Sequence, residues 1–202
     1  MEDAKLGDAE RVARDVGFIK TAADRMAALL SDLLQLSRVG RQQNTAERVP
    51  LGRLVDEALS MVAGRVALQK PKLSITREQL TLFGDRLRLV EVFQNLLDNA
   101  VKFSASAQSS QSSHVEVFAE QVDGEIVLHV RDNGIGIDLR HRHKLFGLFE
   151  KLHPDLEGTG IGLALVKRII DVHGGRIWVD SAGPGLGTTV SFTLPGTIRE
   201  ES

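Results

Sequence analysis

The sequence predicts an α+β sandwich: one largely antiparallel sheet, covered on one face by helices and preceded by a separate long helix. Three observations predict it. An apolar seven-residue recurrence runs through residues 8–38, two β-rich runs flank an Asp-Gly turn at 123–124, and a helical run ending in His173-Gly174-Gly175 leads into two further strands. The 202 residues suffice to bury one core without disulfide or metal staples. A composition 42% hydrophobic and 26% charged is ordinary for a globular domain, which excludes whole-chain disorder and fibrous repeats.

The elements follow in order. Ile19, Met26 and Leu33 recur every seven residues, and Ala22, Leu29 and Leu36 follow three positions later. That is an a/d seam, widened by Ala23 and Leu30 and weakened where Asp15 takes the preceding d position. Such a stripe suits a bundle helix shared with a partner chain, or a helix packed on its own domain. Gly40–Ala46 reads as a linker. Leu51, Leu54, Val55, Ala58 and Val62 predict a helix over Leu51–Gln69, and Leu73–Arg77 a short strand. Asp85 suits the N-cap of a helix reaching about Phe103. Ser104–Ser113, rich in Ser, Gln and Ala, predicts a flexible surface loop. Strands His114–Gln121 and Glu125–Arg131 meet at Asp123-Gly124, a hairpin signal. The last helix spans Gly162–Val172 with a glycine C-cap, and Arg176–Asp180 and Thr188–Leu194 complete the sheet.

Several chemistries are excluded by composition. There is no Cys, hence no disulfide framework, thiol nucleophile or Cys-ligated metal site. A net charge of -2 and a pI near 6.3 provide no basic field for nucleic acid or anionic membrane, and one Trp with no Tyr makes no base-stacking platform. No apolar run approaches the roughly 20 residues of a membrane span, and no secretory signal pattern opens the chain, so a cytoplasmic location is expected.

Three segments carry chemistry. On the helix after Asp85, Glu91, Asn95, Asn99 and Lys102 fall at i, i+4, i+8 and i+11, within one arc opposite the apolar face. A polar stripe there is ordinarily just solvated. Asn, however, is a modest helix former, while its neutral carbonyl oxygen suits Mg²⁺ and Lys102 suits a phosphate. Next, Asp132 ends a strand and opens DNGIGID (132–138), where Gly134 and Gly136 alternate with Ile135 and Ile137. A carboxylate beside apolar surface can accept a charged hydrogen bond from an exocyclic amine, worth about 1.5–3 kcal/mol. Third, Gly158, Gly160 and Gly162 lie at every second position ahead of a helix, where free backbone N–H groups suit an anion. No Lys-Ser/Thr pair follows them, and a polar loop rather than a strand precedes them. Neither a P-loop nor a dinucleotide fingerprint is therefore present. A further cluster, Gly183-Pro184-Gly185-Leu186-Gly187-Thr188, opens the last strand.

Taken in order, NLLDNAVKF (95–103), DNGIGID (132–138), FGLF (146–149), GTGIGLALV (158–166) and GLGT (185–188) resemble the N, G1, F, G2 and G3 boxes of the sensor histidine kinase ATP-binding domain. The resemblance covers about residues 49–196. The helix ending in LLQLSR (33–38) is similar to the second helix of that family's dimerisation hairpin. It implies a Bergerat fold, a mostly antiparallel mixed sheet with helices, of the GHKL ATPase superfamily. Residues 1–46 would be a partial dimerisation helix and linker, and 47–202 the catalytic domain.

The implied roles follow position by position. Asn95 would hold Mg²⁺, Asn99 would share the metal or meet phosphates, and Lys102 would meet phosphate. Glu91 would assist the acceptor histidine. Asp132 would bind the adenine amino group, with Gly134 and Gly136 letting the base approach and Thr188 lining the adenine end. Residues 138–160 would form a lid anchored by Phe146 and Phe149. Gly158, Gly160 and Gly162 would surround the phosphates. Phe103, Ile137, Lys151, Thr159, Ile161 and Leu163 would complete the ATP contacts.

The implied activity is transfer of the ATP γ-phosphoryl group to a histidine on the first dimerisation helix, for relay to a response regulator Asp. A homodimer and a receiver domain are the implied partners, with no nucleic acid and no direct membrane contact by this segment. One feature departs from the family's pattern: the six histidines lie at 114, 129, 141, 143, 153 and 173, none on the early helix. The chain is therefore expected to begin past the acceptor helix and not to autophosphorylate alone. His141, His143 and His173 are expected at the surface or in a cap, His173 with a charged form that suits a helix C-terminus. Another GHKL-type ATPase driving a clamp and an anti-sigma-like protein serine kinase are the alternative readings.

Overall fold

The computed structural model describes residues 2–40, 44–76, 79–105, 112–152, 156 and 158–199. The elements run α1 (Glu2–Arg38), β1 (Glu47–Pro50), α2 (Leu51–Met61), α3 (Ala63–Gln69), β2 (Lys72–Ile75), β3 (Leu80–Gly84) and α4 (Arg86–Ala105). They continue with β4 (His114–Val122), β5 (Glu125–Asp132), a short 3-10 helix (Leu139–Lys144), α5 (Gly162–Val172), β6 (Arg176–Asp180), β7 (Thr188–Thr193) and β8 (Ile198–Arg199). A five-stranded sheet has the order β2-β4-β5-β7-β6, with β2 parallel to β4 and every other pair antiparallel. Among the described residues no helix is long and apolar enough to cross a membrane.

The centre of the core is α4. Its apolar residues at three- and four-residue spacing put Leu89, Val92, Phe93, Leu96, Leu97 and Val101 on one face, each with at most 1% of its surface exposed. Phe93 meets Phe192 of β7 edge-on, ring centroids 5.7 Å apart. At its N-terminus one Asp85 oxygen accepts from the N–H groups of Leu87 (3.1 Å) and Arg88 (3.4 Å), and the other from Asn44 Nδ2 (2.9 Å). This is the expected cap, a contribution of about 1 kcal/mol. Helices α2 and α5 flank α4 and complete the layer.

The β4–β5 hairpin closes on Val122 opposite Glu125, with positive φ at both Asp123 (51°) and Gly124 (82°), a conformation whose twist matches that of the strands. Alternation along β5 puts Leu128, Val130 and Asp132 on one face, and the first two belong to the core shared with α4. That register carries the Asp132 carboxylate to the helix side of the sheet.

Several features differ from the sequence reading. A second, three-stranded antiparallel sheet, β1-β3-β8, accompanies the five-stranded one; its strands are short, and β3 is buried without alternation. The helix expected over Leu51–Gln69 breaks at Val62 (φ -99°, ψ 10°), where the core-facing pattern stops; α3 beyond it buries no side chain. The strand expected at Leu73–Arg77 is Lys72–Ile75, and Arg77 lies outside the described residues. The expected loop has its first residues, Ser104 and Ala105, inside α4, and 106–111 lie outside the described residues, as do 41–43 of the expected linker. On α1 the apolar stripe is solvent-facing, with Ile19, Met26 and Leu30 all more than half exposed; only Leu36 and Val39, at its end, pack on the core.

His173 caps in a way that its expected charge does not fit. Its Nδ1 donates to Ile169 O (2.8 Å), and its Nε2 accepts the backbone N–H of Asp85 (3.0 Å). A backbone N–H is only a donor, so the ring in this clamp is neutral. It rests on Gly84, where a Cβ would come within 2.6 Å of the imidazole. The clamp ties the end of α5 to the start of α4. His173→Ala leaves the Asp85 N–H without its acceptor and is expected to lower the unfolding free energy by about 1–3 kcal/mol. Urea denaturation should show a lower midpoint at an unchanged slope.

Candidate nucleotide-binding site

A cavity of about 870 Å³ lies between α4, the five-stranded sheet and the loops leading into α5 and β7. Its apolar wall is set by strand register: Val130, Val190 and Val179 are paired across β5, β7 and β6, and Leu96 and Ala100 face them from α4. Two residues further along, Asp132 and Thr188 stand opposite each other. Asp132 Oδ1 accepts from Gly134 N–H at 2.9 Å, and the backbone N–H of Thr188 also donates to the carboxylate. Only 8% of Asp132 is exposed, and burial, opposed by these two bonds, pushes its pKa up to about 6.

The loop after β5 is locked at close range. A Cβ on Gly134 would lie 2.3 Å from Phe103 O, and Ile135 N–H donates to the same oxygen (3.3 Å). Only glycine permits that approach to the end of α4. The loop before β7 docks on it through Gly185 N–H to Ile135 O (2.6 Å) and Gly187 N–H to Gly134 O (3.1 Å).

The polar stripe of α4 faces the same cavity. Asn95 Nδ2 donates to Glu91 O (2.9 Å), and Asn95 Oδ1 faces Gly162, where a Cβ would meet it at 2.8 Å. Lys102 Nζ donates to Asn99 Oδ1 (3.4 Å), stands 4.2 Å above the Phe103 ring and reaches toward Gly158. Across the cavity, α1 contributes a wall that includes Arg25, Leu29 and Asp32, and Thr159 Oγ1 donates to Asp32 Oδ2 (2.5 Å).

Residues 84–198 match the family described as histidine kinase-, DNA gyrase B-, and HSP90-like ATPases. The chain belongs to that family. It is 44% identical over 194 residues to the methanogenesis regulatory histidine kinase FilI of Methanothrix harundinacea, covering 96% of this chain and 21% of FilI. It is 36% identical over 188 residues to cyanobacterial phytochrome A of Nostoc, covering 92% of this chain and 24% of that protein. The chain thus spans about a fifth to a quarter of these relatives. Among solved structures, the mycobacterial sensor histidine kinase MprB is similar at 31% identity and a TM-score of 0.65, covering 77% of this chain and 100% of that one. The fold is shared with full-length ShkA in complex with AMPPNP, at a TM-score of 0.70 and 23% identity over 93% of this chain and 39% of that one.

Against the sequence reading, this ATPase-family cavity brings together Asn95, Asn99, Lys102, Phe103, Asp132, Gly136, Ile137, Lys151, Gly158, Thr159, Gly160, Gly162, Leu163 and Thr188. Three expected residues stand outside its lining. Glu91 is held by Arg88 Nη1 at 2.8 and 3.0 Å, Gly134 is packed under Phe103, and Ile161 is fully buried in the protein interior. The lid expectation needs one correction. Phe146 is half-buried, but Phe149 has a left-handed backbone (φ 63°) and stays 54% exposed, while neighbouring Leu145 is buried. Gly160 packs on the Phe149 carbonyl carbon, leaving the backbone rather than the ring as the anchor.

The α1 wall and Arg65, which pairs with Asp98 at 2.6 Å, were not foreseen; they join the site through long-range packing that no local pattern announces. His153 and Glu157 lie outside the described residues. Among those described, no group of three or more His, Cys, Asp or Glu is placed to hold a metal.

Asp132 takes up its proton more readily in the folded chain, near pH 6, than at the ordinary value of 3.8. The folded state is thus penalised as pH rises from 4 through 6, by about 3 kcal/mol once the carboxylate is charged. Asp132→Asn, which retains an acceptor for Gly134 N–H, is expected to raise unfolding free energy near neutral pH by about 1–3 kcal/mol and to change it far less near pH 4. Urea denaturation at the two pH values measures the difference.

Proposed function

We propose that this chain is the ATP-binding catalytic region of a sensor histidine kinase, delivering the γ-phosphoryl group of Mg-ATP to a histidine of a dimerisation helix. From there the group passes to an Asp of a response regulator receiver domain. The observation that carries this reading is one cavity with a buried carboxylate over an apolar valine wall and, along α4, amide oxygens and Lys102 facing a glycine-rich loop. Membership of the ATPase family and the histidine kinase relatives support it.

In this reading Asp132 accepts from the adenine amino group, Gly136 and Ile137 let the base approach, and Thr188, Phe103 and Leu163 enclose it. Gly134 acts from beneath by fixing the loop. Lys102 and Lys151 meet the phosphates, with the N–H groups of Gly158, Thr159, Gly160 and Gly162 around them. Ile161, buried, anchors the start of α5. Asn95 and Asn99 fit Mg²⁺ by chemistry: neutral amide oxygens suit an ion that keeps waters and phosphate oxygens as its other ligands. When bound, the ion supplies neutralisation of phosphate charge. Glu91, turned toward Arg88, stands one helical turn before Asn95 to receive or orient the acceptor imidazole, which attacks in its neutral form. The exposed apolar stripe of α1 supports a homodimer built through that helix in the full-length protein, and the use of ATP supports a cytoplasmic site of reaction.

The decisive experiment mixes the chain with γ-labelled ATP and a separate polypeptide carrying the complete two-helix dimerisation region. Acid-labile label on that polypeptide is expected, and none on the chain alone. Label that survives acid, on Ser, overturns the histidine kinase reading. By calorimetry Mg-ATP is expected to bind with a Kd below the millimolar range. Its affinity should fall as pH drops below about 6, as Asp132 takes up its proton, and this fall should be absent in Asp132→Asn. Failure to bind at millimolar ATP overturns the nucleotide reading.

A further inference from the structure

Ser181 follows β6 directly and lies outside the cavity lining, yet its hydroxyl is saturated. Its Oγ accepts from Ile137 N–H (3.1 Å) and Gly183 N–H (3.2 Å), and its proton goes to Gly187 O (2.6 Å), with Gly183 O at 3.3 Å. A hydroxyl offers one donor and two acceptor sites, and all three are used. The partners belong to the two loops that flank Asp132: the one that follows it and the one that ends at Thr188, its cross-strand neighbour.

Gly136 (φ 66°) sits so close to Gly183 that a Cβ would fall 2.1 Å from its carbonyl oxygen. Gly187 (φ 74°) sits equally close to Asp132 O. Two backbone bonds join the loops, and glycines add no side-chain contact. Ser181 is the side chain whose hydroxyl bonds both. A shift of Gly187 displaces the Asp132 carbonyl against which it rests, and with it the Thr188 N–H that holds the carboxylate.

We infer that Ser181 is a positioning residue that sets the base selectivity of the nucleotide site by holding the two loops on either side of Asp132. The inference rests on the nucleotide reading above. A carboxylate accepts from the amino group of adenine and repels the carbonyl oxygen that guanine carries at the same ring position. Discrimination between the two therefore depends on where that carboxylate stands, whereas the phosphate contacts made from α4 and the glycine-rich loop do not.

The test is calorimetric titration of the unmodified chain, Ser181→Ala and Ser181→Thr with Mg-ATP and with Mg-GTP. Ser181→Ala is expected to raise the ATP Kd about tenfold, the equivalent of one to two lost net hydrogen bonds, with the GTP Kd changed less than twofold. The ATP-to-GTP preference then falls about tenfold, and Ser181→Thr, which keeps the hydroxyl, restores most of it. A merely structural role would weaken both nucleotides in parallel, and that result overturns the inference, as does an unchanged ATP Kd. Ser181→Cys, nearly isosteric and a weaker hydrogen-bonding group, carries the same expectation if the alanine variant does not fold. No ATP binding by the unmodified chain overturns the nucleotide reading itself, a separate result from loss of selectivity in the variants.

Discussion

The burial of one face of α4 is the constraint from which the rest of the molecule follows. Leu89, Phe93, Leu96, Leu97 and Val101 are removed from water against the sheet and flanking helices. Each such side chain contributes about 1.5–3 kcal/mol. Advancing the helix by a single residue, about 100°, would put Gln94, Asp98 and Lys102 in the places of Phe93, Leu97 and Val101. The stripe Asn95, Asn99 and Lys102 therefore has one available orientation, toward the cavity between α4 and the glycine-rich loop. The site is placed by the core. Its amides and amine need no contact of their own to be aimed correctly, because the greasy side of the same helix aims them.

A second consequence of packing is the state of Asp132. Strand alternation places it beside Val130 on the helix side, in surroundings that disfavour its charge, and only two backbone N–H donors compensate. A fold selected for stability alone would hold an amide or an apolar group there. In the proposed reading, the cost of a desolvated carboxylate is the physical form that base recognition takes.

Much of the fold was legible because it is local. The a/d recurrence of α1, the three- and four-residue spacing of α4, the Asp123-Gly124 turn and the glycine-capped α5 each announce themselves within a dozen residues, and each stands where the sequence places it. The ordered glycine and asparagine boxes likewise predict most of the cavity lining. Features that depend on remote partners were not legible. The small sheet is made of strands of two to five residues whose pairing partners lie far away in the chain. The neutral state of His173 depends on a backbone N–H 88 positions away. The exposed ring of Phe149 follows from a left-handed backbone no propensity would assign to Phe. Ser181 and the α1 wall act through contacts between segments, and nothing within either segment marks them.

The three-stranded sheet also has a history in time. Its central strand, β3, receives Val49 and its neighbours from one side and Ile198 from the other, so segments from far apart in the chain meet on one strand. On a ribosome the β4–β5 hairpin can close as soon as it emerges, within microseconds. The pairing of Thr81 with Ile198 must wait until more than a hundred further residues have been made. Until then one edge of β3 is open, with backbone donors and acceptors unpaired. The open edge of β3 is thus exposed to mispairing until the two residues of β8 close it.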